Sequence, residues 1–163
     1  MKSDQSIRNL PYRKNVSCVL FKDNKYLLVQ LADWKENWWK FPQGGIEENE
    51  AEEDAIKREL QEELNISKFK IVTRSNQTNL YDWPEEIVIK RGLRWRGQNQ
   101  TFYLIEYLGD NSDIKITDFD EVRKFRWVTK TELFKLIDQK DKIFSGYIEV
   151  IKKIFKEFED FLE

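Results

Sequence analysis

GGIEENEAEEDAIKRELQEELNI, residues 44–66, opens on paired glycines and closes on an asparagine and an isoleucine. Between those ends a helical pattern begins near Glu50. With Glu59 at zero on a helical wheel, Glu62 falls at about 300° and Glu63 at about 40°. Three carboxylates thus share an arc of roughly 100°. Ile56, Leu60 and Leu64 fall at about 60°, 100° and 140°, an adjoining apolar stripe that can anchor the helix. Like charges so spaced repel by a few tenths of a kcal/mol per pair. A solvated face usually relieves this with lysines at the same spacing, yet here only Arg58 stands four residues before Glu62. A divalent cation relieves it better. Glutamate oxygens are hard donors that suit magnesium or manganese rather than zinc or copper. The same pattern also fits an ordinary acidic surface helix.

The chain around this helix narrows the chemistry. Its 163 residues fit one domain spanning 1–163. It contains no histidine, which removes the commonest general base, the serine–histidine triad and histidine-ligated zinc. Lys plus Arg is 28 against Asp plus Glu at 30, so any anionic ligand must be caught by a local patch. The lone Cys18, in the apolar run VSCVLF, excludes an intramolecular disulfide and reads as a buried thiol in a reducing compartment. No apolar run is long enough to span a bilayer, and the N-terminus lacks a secretory pattern, so the expected location is cytoplasmic.

Val16–Phe21 and Tyr26–Gln30 read as strands joined by a turn at Lys22-Asp23-Asn24-Lys25. Phe69–Thr73, Thr101–Leu108 and Phe125–Val128 read as further strands. Thr129 with Glu132 forms a capping-box signature. Phe144, Ile148, Ile151, Phe155, Phe158 and Leu162 give a final helix, about Ser145 to Phe161, one apolar face. Strands with intervening helices indicate α/β or α+β layering.

The opening segment resembles the Nudix box: Gly44, five residues, Glu50, seven residues, then Arg58-Glu59-Leu60-Gln61-Glu62-Glu63-Leu64-Asn65-Ile66. The box's second glycine is Asn65 here, and asparagine is the usual second choice for a left-handed C-cap. The resemblance implies an α/β/α sandwich with a mixed β-sheet and hydrolysis of a pyrophosphate linkage in a nucleotide. It implies that Glu59, Glu62 and Glu63, with the Gly44 carbonyl, ligate magnesium or manganese, and that Arg58 orients the glutamates.

Further stretches resemble the family's branch of dinucleoside polyphosphate hydrolases and RNA 5′-pyrophosphohydrolases. These are Tyr12-Arg13-Lys14-Asn15-Val16, Trp39-Lys40-Phe41-Pro42-Gln43-Gly44-Gly45 and Arg96-Gly97-Gln98-Asn99-Gln100-Thr101-Phe102. Glu121, ahead of Phe125-Arg126-Trp127-Val128, takes the place of an additional metal-binding glutamate. The resemblance makes Arg13, Lys40, Gln43, Tyr81, Gln100, Phe125 and Phe158 candidates for holding substrate, with a base-stacking aromatic among Trp34, Trp38, Tyr81, Phe125 and Phe158. Lys156-Glu157-Phe158 resembles the branch's C-terminal Lys-Glu-Phe, although Phe158 also fits the core.

Lys14 replaces a proline of the branch. Gln30-Leu31 stand roughly where close relatives often carry arginines. Lys35, Lys40 or the cluster Lys90-Arg91-Gly92-Leu93-Arg94-Trp95-Arg96 can compensate; that cluster fits a phosphate or RNA contact and a solvated hairpin tip equally. The expected substrate is a dinucleoside polyphosphate or an RNA 5′-triphosphate end. The alternatives are a nucleoside triphosphate or nucleotide-sugar pyrophosphatase, a non-catalytic nucleotide or RNA sensor, and a structural domain.

Overall fold

The structure, a computed structural model, describes residues 4–33, 35–138 and 146–162. The elements run α1 Asp4–Arg8, β1 Tyr12–Lys22, β2 Lys25–Leu31, β3 Gln43–Gly45, α2 Glu52–Leu64, β4 Phe69–Asp82 and α3 Glu85–Lys90. They continue with β5 Gly97–Tyr107, a 3-10 turn at Asn111–Asp113, β6 Val122–Val128, α4 Lys130–Ile137 and α5 Tyr147–Leu162. The strands form one mixed sheet in the order β4-β5-β1-β2-β6, with β3 added on β1. β1 and β5 are parallel, and the other pairs are antiparallel.

β1 lies inside the sheet, and its side chains alternate between two cores. Val16, Cys18 and Leu20 join Ile56, Leu60 and Leu64 beneath α2. Val19 joins Ile151, Phe155 and Phe158 beneath α5. Burial on both faces explains why β1 reads as a continuous apolar run. The expected α/β/α sandwich is therefore the observed fold. The β1–β2 turn places Asp23 and Asn24 at φ 51° and 62°, the two left-handed positions of a type I′ hairpin.

α2 buries Ala55, Ile56, Leu60 and Leu64, the stripe read from its periodicity. It starts at Glu52 rather than near Glu50. Asn49 turns the chain at φ 65°, and the Glu50 carboxylate is held outside the helix by the Glu47 N–H at 3.0 Å and by Arg58. At the other end Asn65 is left-handed (φ 57°, ψ 33°), as expected of a C-cap. The Ile66 N–H returns to the Leu60 carbonyl at 3.1 Å. The carbonyls of Glu63 and Leu64 accept from the N–H groups of Thr117 and Lys115 at 3.1 and 3.0 Å, and Thr117 Oγ1 donates to the Glu62 carbonyl. These bonds lay the loop before β6 against the end of α2.

Several boundaries differ from the sequence reading. β4 runs nine residues beyond the expected Thr73, to Asp82. It is an edge strand with irregular register at Ile71/Thr73 and Arg74/Thr78, and its polar alternation hides a strand. The irregular stretch is pinned by Glu157, whose carboxylate accepts from Ser75 Oγ at 2.6 Å and the Asn76 N–H at 2.7 Å. β5 and β6 begin earlier than read, at Gly97 and Val122. The capping box on α4 is present, with Thr129 Oγ1 accepting from the Glu132 N–H at 3.2 Å. α5 buries Tyr147, Ile151, Ile154, Phe155 and Phe158. Phe144, Ser145 and Trp34 fall outside the described residues.

The packing corrects two expectations. Phe158 is 0% exposed inside the core below α5, so it has no face to offer a base. Phe125 packs partly buried against the core under α2 and does not line the cleft described below. No helix among the described residues is long and apolar enough to cross a membrane.

Candidate active site

Arg58 organises the carboxylates. Its guanidinium donates through Nε and Nη2 to Glu50 at 2.8 and 2.9 Å, through Nη1 to Glu59 at 2.8 Å, and through Nη2 to the Gly45 carbonyl at 2.9 Å. A longer contact reaches Glu62 at 3.5 Å. One planar fork thus ties the loop before α2 to the face of α2. The Arg58 bonds hold the Glu50 carboxyl down at about 2, and the same partners raise the proton affinity of Arg58.

The Glu59 carboxyl lies against Gly44, where an added Cβ would stand 2.0 Å from Glu59 Cδ. Only a glycine admits that approach. Gly45 plays the same part for Arg13: a Cβ there would stand 2.2 Å from Arg13 Nη2. The two glycines therefore seat the helix's carboxylate on one side and a cation on the other.

These groups open into a cleft of about 790 Å³. Glu59, Glu62 and Glu63 of α2 line it together with Asp118 and Glu121 of the adjoining loop. Glu59 is largely covered (side chain 14% exposed), whereas Glu62 is 61% exposed. Burial raises the pKa of Glu63, opposed by Lys40 and reinforced by Glu59 and Glu121. Burial raises that of Glu59 too, opposed by Arg58. Among the described residues no three carboxylates converge into a ready-made ion cage. The donor set still fits a hard divalent cation. Several carboxylate oxygens line one cleft, and burial with mutual repulsion disfavours the charge of Glu59 and Glu63 until a cation offsets it.

Cations stand beside these carboxylates. Arg13 is half-buried; desolvation and the neighbouring Arg91 and Arg94 lower its proton affinity, while Glu59 and Glu121 support its charge. Lys40 is buried on the cleft floor, its backbone paired with Val29 at 2.8 and 3.0 Å. Desolvation lowers its pKa, and Glu63 counters the shift. Lys90 and Arg91 line the wall built by α3. Lys35 lies over the Trp38 ring at 5.0 Å on the rim.

Amides and aromatics also line the cleft. Asn79 Nδ2 donates to Gln100 Oε1 at 2.9 Å, and Gln100 Nε2 donates to Gln43 Oε1 at 2.7 Å. Tyr81 OH donates to Gln98 Oε1 at 2.6 Å. Asn15 lines the same space, with Oδ1 buried and unpartnered among the described residues. Trp38, Tyr81, Trp83 and Tyr147 supply aromatic surface. The cleft thus gathers Gly44, Arg13, Lys40, Gln43, Tyr81, Gln100, Glu121 and the α2 glutamates.

Sequence reasoning missed Asp118, Asn15, Asn79, Gln98, Trp83 and Tyr147. Gln98 had a visible signal, since residues two apart on β5 share a face with Gln100. Leu31, not Gln30, faces the cleft. Gln30 is fully buried, where its Nε2 donates to the Glu36 carbonyl at 2.5 Å and its Oε1 accepts from Arg123 at 2.6 and 2.9 Å.

The NUDIX domain profile matches residues 11–151, most of the chain. The chain belongs to the Nudix family. This Nudix protein is 38% identical over 146 residues to an RNA pyrophosphohydrolase of Sphingopyxis alaskensis, covering 86% of this chain and 92% of the relative. It is 31% identical over 157 residues to an RNA pyrophosphohydrolase of Pelagibacter ubique, covering 93% and 98%. Its fold is similar to that of a C. elegans Ap4A hydrolase in a binary complex, with TM-score 0.66 at 18% identity, covering 90% of this chain and 98% of that one. The protein is accordingly a Nudix pyrophosphohydrolase, of a family whose hydrolases use divalent metal ions.

Proposed function

We propose that this Nudix hydrolase removes pyrophosphate from the 5′-triphosphate end of RNA, with magnesium or manganese as its cation. The observation that carries this reading is the polarity of one cleft. Carboxylates of Glu59, Glu62, Glu63 and Glu121 line it together with the cations Arg13 and Lys40, which lie close enough to Glu59, Glu63 and Glu121 to interact with their charge, and amides and aromatic rings line the rest. A polyphosphate fits between cations on both sides, and a base fits beside an aromatic ring and hydrogen-bonding amides. The names of the two relatives above favour RNA.

Glu59, Glu62, Glu63, Glu121 and the Gly44 carbonyl would hold the cation, which supplies neutralisation of phosphate charge and activation of water when bound. The chain's own residues supply the rest. Arg13, seated by Gly45, presents its fork to phosphate oxygens. Arg58 fixes Glu59, and a carboxyl of the half-buried Glu59–Glu63 pair takes the proton that attacking water releases. Lys40 neutralises phosphate at the floor.

A second reading has its own support. The cleft carries more than one aromatic ring, Trp38 from the segment after β2 and Tyr81 with Trp83 from the end of β4, which suits the two bases of a dinucleoside polyphosphate. Side-by-side turnover of triphosphorylated RNA, diadenosine polyphosphates and nucleoside triphosphates, with product identification, tests both. Release of pyrophosphate and 5′-monophosphorylated RNA at the highest kcat/KM is expected. Preference for free nucleoside triphosphates overturns both readings.

A further inference from the structure

The strand connection from Trp83 to Arg96 carries more charge than the cleft itself uses. Arg13, inside the cleft, lies over the Trp95 ring with its guanidinium carbon 5.0 Å from the ring centroid. Arg94 lies over the same ring at 4.3 Å, is exposed and lies outside the cleft. Arg91 stacks on Trp83 at 5.1 Å at the cleft's edge. Arg13 and Arg94 therefore share the Trp95 ring, one guanidinium inside the cleft and one outside it, and Arg91 with Trp83 forms a second cation–indole pair in the cleft lining.

The acidic residues of this region are partly engaged. Asp82 is held by Arg96 at 2.5 Å, and Asp33 contacts Lys90 at 4.0 Å. Glu85 and Glu86 lie exposed on α3. Among the described residues neither Arg91 nor Arg94 makes an ion pair, so both charges remain available to a ligand. A guanidinium already laid flat on an indole has lost much of its side-chain freedom, so binding a phosphate there costs less ordering. Arginines beside aromatic rings along an open path suit single-stranded nucleic acid, whose phosphates alternate with stackable bases.

We propose that this edge, from Trp95 to Arg94, carries the single-stranded RNA downstream of the 5′ end that enters the cleft. The proposal rests on the RNA reading above. It assigns Arg94 a part that matters only for a substrate longer than the cleft holds.

The test compares wild type with Arg94→Lys, Arg94→Gln and Arg94→Glu on three substrates. These are a triphosphorylated dinucleotide, a triphosphorylated unstructured 20-mer with the same first two nucleotides, and diadenosine tetraphosphate. For the 20-mer, kcat/KM is expected to fall in the order Lys, Gln, Glu, by about tenfold for Glu and mainly through KM. Losing one phosphate contact makes the slope of log kcat/KM against log salt shallower by about 0.7 in Arg94→Gln. The dinucleotide and diadenosine tetraphosphate are expected to stay within about twofold.

Equal loss on dinucleotide and 20-mer overturns the proposal and returns Arg94 to the support of Arg13. No loss on any substrate overturns it as well. Fluorescence anisotropy with a 20-mer bearing a 5′-hydroxyl separates this proposal from the reading it rests on. Salt-sensitive binding weakened by Arg94→Glu upholds the edge even where triphosphorylated RNA is not turned over. Binding indifferent to Arg94→Glu overturns the edge while leaving the activity standing.

Discussion

Glu63 lies half-buried against Glu59, with Lys40 and Glu121 close enough to shape its charge. Glu63→Gln keeps the volume and removes the ligand charge. We expect an unchanged unfolding midpoint in the presence of chelator and a loss of about 3 kcal/mol or more in transition-state stabilisation, roughly a hundredfold in kcat. A rate near wild type at saturating magnesium removes Glu63 from the chemistry. Asn65 tests the end of the helix. From sequence alone a glycine there is neutral or stabilising, because the residue is left-handed. The structure adds side-chain bonds: Asn65 Nδ2 donates to the Asp113 carbonyl at 3.0 Å, and Asn65 Oδ1 accepts from Gln61 at 3.1 Å. Asn65→Gly is therefore expected to change stability by less than about 1 kcal/mol, relief of the backbone offsetting lost bonds. Asn65→Ala, with neither compensation, should cost about 1–2 kcal/mol more. Denaturant midpoints of the two variants check the order.

At the scale of elements, the loop from β3 and helix α2 act together through Arg58 and the two glycines. Gly44→Ala places a methyl into the Glu59 carboxyl. The carboxyl must swing away, and a displacement of about 1 Å at reacting groups costs up to roughly a hundredfold in rate. A fall in kcat of at least about tenfold, with a thermal midpoint close to wild type, is expected; unchanged kcat refutes the tight seating. Glu50 holds the other side. Its folded pKa, about 2, lies below the ordinary glutamate value. Its stabilisation is present above the unfolded pKa and disappears as pH falls through the folded one. Glu50→Gln should thus cost on the order of 1–2 kcal/mol at neutral pH, allowing for solvent screening, and nothing below about pH 2. Urea midpoints across that range give the measurement. The legibility of these elements follows from their physics. α2 was readable because its charged and apolar faces separate cleanly on a wheel, and α4 because Thr129 and Glu132 carry a local cap. Thr78 to Asp82 were not readable as strand, since an edge strand needs no apolar run. α3 was missed because six residues make too short a period, yet it builds a wall of the cleft. Phe158 has the same residue type whether it packs or stacks, and only the sheet beneath α5 decides between the two.

Across the whole molecule, fold and chemistry pull in opposite directions at the α2 carboxylates. Glu59 and Glu63 have folded pKa values raised by burial. Stability from such groups is complete below their unfolded pKa and is lost as pH rises toward the folded one. In excess chelator the thermal midpoint should therefore decline from mildly acidic to neutral pH. Magnesium or manganese should restore it, and by more at neutral than at acidic pH, because the cation binds the ionised form. A midpoint rising with pH in chelator contradicts the buried-carboxylate picture. Turnover should vanish in excess chelator and increase toward alkaline pH, since no histidine is present to serve as base. Finally, the contacts that seat Glu59 all run between Gly44 and Glu62: Arg58 to Glu50, Glu59, Glu62 and the Gly45 carbonyl, and Glu59 to Gly44. Such a segment is a cassette that keeps its shape by internal clamps. It can keep its shape while the residues of the surrounding walls change.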